Sequence, residues 1–292
     1  MRLPLLAFLL SFCFIYIGII LQAGSTETKQ RIETANQSVS SSKEIVANLD
    51  QMKVYLVENG KTVETFKIVS VGRPGSFYET PTGEYKIETK ERNHFSNLGK
   101  VHMPFSMQFF GNFFIHGIPY HPDGTRVSSF YSGGCIRMSD VDAEKIYNFA
   151  EVDNGANTKL SIIREQKYTA SDYKDETLTK EANINIMTAL ISLESIDQSK
   201  NLKKFGNVKD ALTTMLKSND NNITLAMANS YGERGFVEKM NKKAAAIGLT
   251  DTVYSSVNYN DTENKITLAD NIKLLKYIEN NKSYIFNILE NL

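Results

Sequence analysis

Ile115-His116-Gly117, and then Ser132-Gly133-Gly134-Cys135-Ile136-Arg137-Met138, are the two short stretches on which the reading of this chain turns. A thiol attacks as its thiolate, and a free cysteine titrates only at about 8.5, so a cysteine nucleophile needs a base or a cation beside it. Histidine, with an ordinary pKa near 6.5, is the natural base. A glycine before the cysteine lets the backbone turn tightly, and the amides of such a turn suit a tetrahedral oxyanion. An arginine two residues after the nucleophile holds a carboxylate in bidentate fashion. By spacing alone, these residues are suggestive and no more.

Outward from them, the sequence reads as short strands and turns. Ile45–Leu49 is a strand candidate, and Lys53–Val57 and Thr62–Ile68 flank Glu58-Asn59-Gly60-Lys61. An Asn-Gly pair between β-rich runs signals a hairpin, because both residues tolerate positive φ. Ser70–Gly75 is a loop, Thr80-Pro81-Thr82-Gly83 a turn into the strand Glu84–Ile87, and the aromatic runs Phe105–Phe110 and Phe113–Ile115 continue the pattern to about Ile163. A helix from Ser139 to about Phe149 interrupts it, with Ser139 or Asp140 as N-cap.

The ends of the chain read differently. Arg2 precedes an apolar run, Leu3–Leu21, of the length that crosses a bilayer core, and Gln22-Ala23-Gly24-Ser25 offers a small-residue cleavage site. Residues 1–23 are therefore expected to be a signal peptide or an inner-membrane anchor, and either exports the rest to the periplasm or cell envelope. Residues 24–43 lack apolar periodicity and read as a linker. Of the two cysteines, Cys13 lies in the apolar run, so Cys135 is the single thiol of the exported part. Exported proteins usually pair or avoid cysteines. An unpaired one is either a buried structural thiol or a nucleophile. The chain has 33 basic and 33 acidic residues with no long run of one sign, which argues against a nucleic-acid partner.

The two stretches together resemble the L,D-transpeptidases of the YkuD-like fold. The signature is a His, a spacer of about fifteen residues, then Ser/Thr-x-Gly-Cys-x-Arg. Here residues 117–131 separate His116 from Ser132, and Gly134, Cys135 and Arg137 follow in register. Asp50–Tyr55 resembles the opening hairpin of that family, Thr80–Tyr85 its TPTG segment, and Met103–Met107 the segment before its histidine. The resemblance implies an α+β protein whose mostly-β catalytic domain spans residues 44–165. It implies that Cys135 attacks a peptidoglycan stem peptide after its third residue, that the terminal D-alanine leaves, and that a thioacyl-enzyme forms. An amine acceptor then gives a crosslink, and water gives carboxypeptidase action. His116 is the base, oriented by the carbonyl of Gly117, and Gly134 and Cys135 supply the oxyanion amides. Arg137, Ser132, Tyr131 and Met103 are the candidate substrate contacts, and no cofactor or metal is implied. One position departs: many members carry a second His just before the Gly-Cys pair, where this chain has Gly133, so no task of that residue is carried over.

Plainer readings stand beside these. Cys135 could be a buried thiol, His116 a core histidine and Arg137 a salt-bridge partner, and a cell-wall protein with a vestigial thiol would bind stem peptides without reacting. His94, His102 and His121 lack the tight spacing of a metal site. Tyr131 and Phe130 read as pocket wall.

After about Ser171, helical spacing replaces alternation, with helix candidates at 179–196, 207–216, 223–231, 236–246 and 267–280 and a helix stop at Gly248. Residues 171–292 are read as a C-terminal all-α domain. Asn185–Glu194, Phe236–Ala244, Ile247–Thr252 and Thr267–Asp270 are similar to segments of serine D-Ala-D-Ala carboxypeptidases. The Ser-x-x-Lys of that family falls on Ala182, Asn183, Ile184 and Asn185, and Asn219 stands where its second serine is expected, so neither nucleophile nor lysine is present. This region is expected to lack serine chemistry. Two roles stay open: packing against the first domain, or recognition of a stem peptide or a cell-wall protein partner.

Overall fold

The computed structural model describes residues 42–153, 157–165 and 178–290. The expected leader and almost all of the linker lie outside these residues. Among the described residues no helix is long and apolar enough to cross a membrane.

Among the described residues, nine strands make two sheets. The first holds β1 (Lys43–Asn48), β2 (Lys53–Glu58), β3 (Lys61–Lys67), β4 (Gly83–Lys86) and β9 (Lys159–Ile163) in the order β3-β2-β1-β9-β4. The second holds β5 (Thr89–Ser96), β6 (Val101–Phe110), β7 (Phe113–His116) and β8 (Ile136–Arg137) in chain order. The β2–β3 hairpin turns on Asn59 at φ 51° and Gly60 at φ 76°, the two positive φ values that such a two-residue loop requires. β1 buries alternate residues, Ile45 and Ala47, and these join Val54, Leu160, Met107, Phe109, Ile115 and Ile136 in one buried cluster drawn from both sheets. Helix α1 (Asp140–Phe149) follows β8, with the Ser139 hydroxyl accepting from the Asp142 amide as N-cap.

β5 differs from the sequence expectation, which placed no strand there. Thr-Lys-Glu-Arg-Asn-His-Phe-Ser carries almost no apolar alternation, because β5 is an edge strand that keeps its charges in solvent.

The helices are α2 (Lys180–Ser195), α3 (Val208–Ser218), α4 (Asn221–Tyr231), α5 (Glu233–Ala246), α6 (Leu268–Asn281) and α7 (Ser283–Glu290). Thr179, Asn207 and Thr267 cap three of them through side-chain oxygens. Gly248, at φ 80°, ends α5 as expected. α7 was not anticipated; it follows α6 across Lys282 with no turn-forming residue between them.

α2 buries every residue from Asn183 to Ser195, as a helix enclosed on all sides does. The described residues from Lys43 onward form one compact unit, and the buried cluster runs from the strands into the helices without a break. Gly83 passes so close to the Ala246 carbonyl that a Cβ there would collide with it. Lys243 on α5, fully buried, donates to the hydroxyls of Tyr85 and Tyr277, both at 2.9 Å, and to Glu194 on α2 at 3.0 Å. Lys282, equally buried, donates to the Glu79 carbonyl at 2.6 Å.

Candidate active site

β7 and β8 pair in parallel for two residues, Ile115 with Ile136 and His116 with Arg137. Continued back one residue, that register sets Cys135 beside Phe114, two residues before His116 on the same strand edge. His116 closes β7 and Cys135 stands immediately before β8. The Met138 amide donates to the His116 carbonyl and the Gly117 amide to the Pro104 carbonyl, both at 2.8 Å, so the backbone on either side of the imidazole is pinned.

The cysteine turn is held from below. Ser132 Oγ donates to the Cys135 carbonyl at 2.6 Å and accepts from the Gly134 amide at 3.1 Å. Thr80 Oγ1, from the Thr-Pro-Thr-Gly turn, donates to the Gly134 carbonyl at 2.9 Å and accepts from the Gly72 amide at 2.8 Å. Gly134 adopts φ 107°, and any Cβ there would strike the Phe113 ring. Gly133 is unlike it: a Cβ would enter open space.

His116 Nδ1 lies 2.6 Å from the Gly117 carbonyl oxygen. A carbonyl only accepts, so Nδ1 carries the proton and Nε2 of the neutral ring keeps its lone pair. Burial lowers the His116 pKa to about 4, against the opposing pull of the Gly117 carbonyl, and the Arg137 charge lowers it further. Burial pushes the Cys135 thiol up to about 11, offset in part by the Phe114 backbone and by Arg137. The resting pair is thus a thiol and a neutral imidazole, not a preformed ion pair. Cys135 Sγ also sits 3.7 Å from the Asn112 carbonyl as its donor.

A cavity of about 470 Å³ opens over this site. Cys135, His116, Arg137 and Met103 line it. Arg137 Nη1 is held by Ser129, at 3.0 Å from the hydroxyl and 3.3 Å from the carbonyl. Ser132 turns its hydroxyl into the cysteine turn rather than into the cavity. Tyr131 stands outside the lining, packed edge-on against Phe130 at 4.8 Å. Unanticipated members are Asn112 and Phe113 from the β6–β7 turn, and the end of α2 with the loop after it, Leu193 and 196–199. Gly111-Asn112 between two aromatic strands was a readable hairpin signal; the helical wall had none, since it lies far away in sequence.

His94 stacks on Phe114 and pairs with Glu91, while His102 stacks on Tyr120. Among the described residues no group of three or more His, Cys, Asp or Glu is placed to hold a metal. In the helical part, Asn185 and Asn219 meet at 2.7 Å, and Thr224 donates to Asn185 at 3.0 Å. These amides satisfy one another and offer no nucleophile.

Residues 42–163 match the YkuD family, the L,D-transpeptidase catalytic domain. All the residues of the cysteine site named above, apart from the helical wall, lie inside that match. Solved structures with similarity include a fused Zn-dependent amidase/peptidase/peptidoglycan-binding domain-containing protein from Clostridium acetobutylicum ATCC 824, with 22% identity over 46% of this chain and 59% of that chain and a TM-score of 0.35. An L,D-transpeptidase (Yku) from Stackebrandtia nassauensis gives 22%, 45%, 60% and 0.36 by the same measures. An L,D-transpeptidase from Mycobacterium smegmatis gives 17%, 42%, 59% and 0.34. The chain thus spans about six-tenths of the length of these structures. No curated protein matches it.

Proposed function

We propose that the protein is a peptidoglycan L,D-transpeptidase that works through a thioacyl-enzyme on Cys135. The observation that carries this reading is His116, its Nδ1 held against the Gly117 carbonyl, in one cavity with the single described cysteine. A stem tetrapeptide enters the cavity, and its third-residue carbonyl meets Cys135 Sγ. As the C–S bond forms, the thiol proton passes to His116 Nε2. Amides of the Gly134–Cys135 turn stabilise the oxyanion. The C–N bond to the terminal D-alanine then breaks, and the proton goes from His116 to the leaving amine. An acceptor amine attacks the thioester next, forming a C–N bond and breaking the C–S bond, while His116 takes its proton and returns it to sulfur. Water in place of the amine gives carboxypeptidase action through the same acyl-enzyme. Arg137 holds a substrate carboxylate and Met103 packs against the donor peptide. Substrate of this kind places the working protein outside the cytoplasm, as the apolar run Leu3–Leu21 also favours.

A carbapenem tests the nucleophile directly. Its β-lactam carbonyl should add to Cys135 in intact protein and not to Cys135→Ala. Absence of an adduct in the folded wild type would point instead to a peptide-binding protein with an inert thiol.

A further inference from the structure

The catalytic cavity is built from both halves of the molecule. Its inner wall carries Cys135, His116 and Arg137; its outer wall is the C-terminal end of α2 and the loop 196–199. This outer wall is fixed in place. The Asn112 amide donates to the Glu194 carbonyl at 2.9 Å, and Gly111, at φ 53°, runs so close to that carbonyl that a Cβ would collide with it. The same Asn112 offers its own carbonyl to Cys135 Sγ. Gln198 Nε2 covers the helix end by donating to the Ser192 and Ile196 carbonyls at 2.7 and 2.9 Å.

This wall carries one carboxylate, Asp197; the neighbouring Lys200 charge acts on it, while the Lys200 ammonium itself donates to the Ser230 carbonyl. Asp197 spends one carboxylate oxygen, Oδ1, on the Ser199 amide at 2.9 Å and the Ser199 hydroxyl at 2.7 Å. Among the described residues it forms no ion pair, and Arg137, which also lines the cavity, keeps its charge with only Nη1 bonded, to Ser129. The partial negative end of the α2 dipole adds to the same side. An exposed carboxylate lining the cavity, oriented through Oδ1 by Ser199, suits an ammonium group.

We propose that Asp197 and the end of α2 form a subsite for an ammonium-bearing group of the ligand that reaches Cys135, so that the helical half takes part in choosing the substrate. The inference deepens the transpeptidase reading and rests on it for the identity of the ligand, though not for the electrostatics of the cavity. That separation allows a test that needs no turnover. Full-length protein is treated with 2-aminoethyl methanethiosulfonate, which is cationic, and with methyl methanethiosulfonate, which is neutral. In each case the Cys135 sulfur displaces methanesulfinate and forms a mixed disulfide, read at the Cys135 peptide by mass. The ratio of the two rates cancels any change in the cysteine itself. Asp197→Asn should lower the cationic-to-neutral ratio by about threefold, the size expected of one partly screened charge, and Asp197→Lys should lower it further. Ratios unchanged in both folded variants would overturn the subsite, whatever reaction the enzyme catalyses. If the ratios fall but no carbapenem adduct forms, the subsite stands and the transpeptidase reading falls. With turnover, a KM rise in Asp197→Asn confined to the amine acceptor assigns the subsite to the acceptor, and one confined to the tetrapeptide assigns it to the donor.

Discussion

His116 Nδ1 stands 2.6 Å from the carbonyl oxygen of its own neighbour, Gly117, and this contact sets the tautomer of the ring. It commits the ring proton to Nδ1 and leaves Nε2 as a base. With the His116 pKa lowered to about 4 and the thiol raised to about 11, the site has a wide working range. The base is competent when deprotonated, so activity is lost only as pH falls through about 4. Acylation by a carbapenem should therefore hold a plateau from about pH 5 to pH 9, with its acid limb near 4. An acid limb near 6.5 would mean that the histidine is solvated during reaction and that burial does not hold its pKa down.

Removal of the imidazole should cost rate and spare binding. His116→Ala is expected to slow acylation by on the order of 10²- to 10⁴-fold, the usual range for a general base, with the concentration dependence of the reaction little changed. Stopped-flow fluorescence of the two proteins reads both quantities.

Thr80 links the Thr-Pro-Thr-Gly turn to the nucleophile through the Gly134 carbonyl and the Gly72 amide. Thr80→Val keeps the shape and leaves both buried groups without that partner. The cost should be about 1–3 kcal/mol of stability, and Thr80→Ser should recover most of it. Denaturant unfolding of the three proteins decides the matter.

Gly133 and Gly134 are adjacent and should respond in opposite ways. Gly133→His places its side chain in open space, so stability should stay within about 0.5 kcal/mol of wild type. Gly134→Ala combines a φ of 107° with a collision against Phe113 and should lower the melting temperature clearly, by a destabilisation of about 2 kcal/mol or more. Equal tolerance at both positions would contradict the geometry of the turn.

The buried Lys243–Glu194 pair joins the helices to Tyr85 on β4. Lys243→Met leaves Glu194 buried with a poorer partner and should cost about 3–5 kcal/mol. The double change with Glu194→Gln should cost less than the two single changes added together, because Lys243 and Glu194 then leave neither of their own charges orphaned, although Lys282, 3.5 Å from Glu194, loses its carboxylate in either Glu194 variant. A double-mutant cycle in urea measures the difference.

Much of this was legible in the sequence wherever the signal was local. Asn59-Gly60 marked a hairpin because its backbone needs positive φ, and Thr179, Asn207 and Thr267 marked helix starts because their side chains cap free amides. The motif residues His116, Cys135 and Arg137 are paired through the family resemblance, spacing alone being only suggestive, and the β7–β8 register sets His116 opposite Arg137. β5 escaped notice because an exposed edge strand has no apolar alternation. The outer wall of the cavity escaped for another reason: Asn112 and Glu194 meet through backbone atoms, and a backbone contact across so many residues leaves no trace in side-chain pattern.

The central claim is tested most directly by intact mass spectrometry after incubation with purified disaccharide-tetrapeptide, using wild type and Cys135→Ala. The account predicts a thioacyl adduct on the wild-type protein, together with product that lacks the terminal D-alanine or is crosslinked into a dimer, and neither with Cys135→Ala. Unchanged substrate with folded wild type, or equal turnover by both proteins, would contradict it.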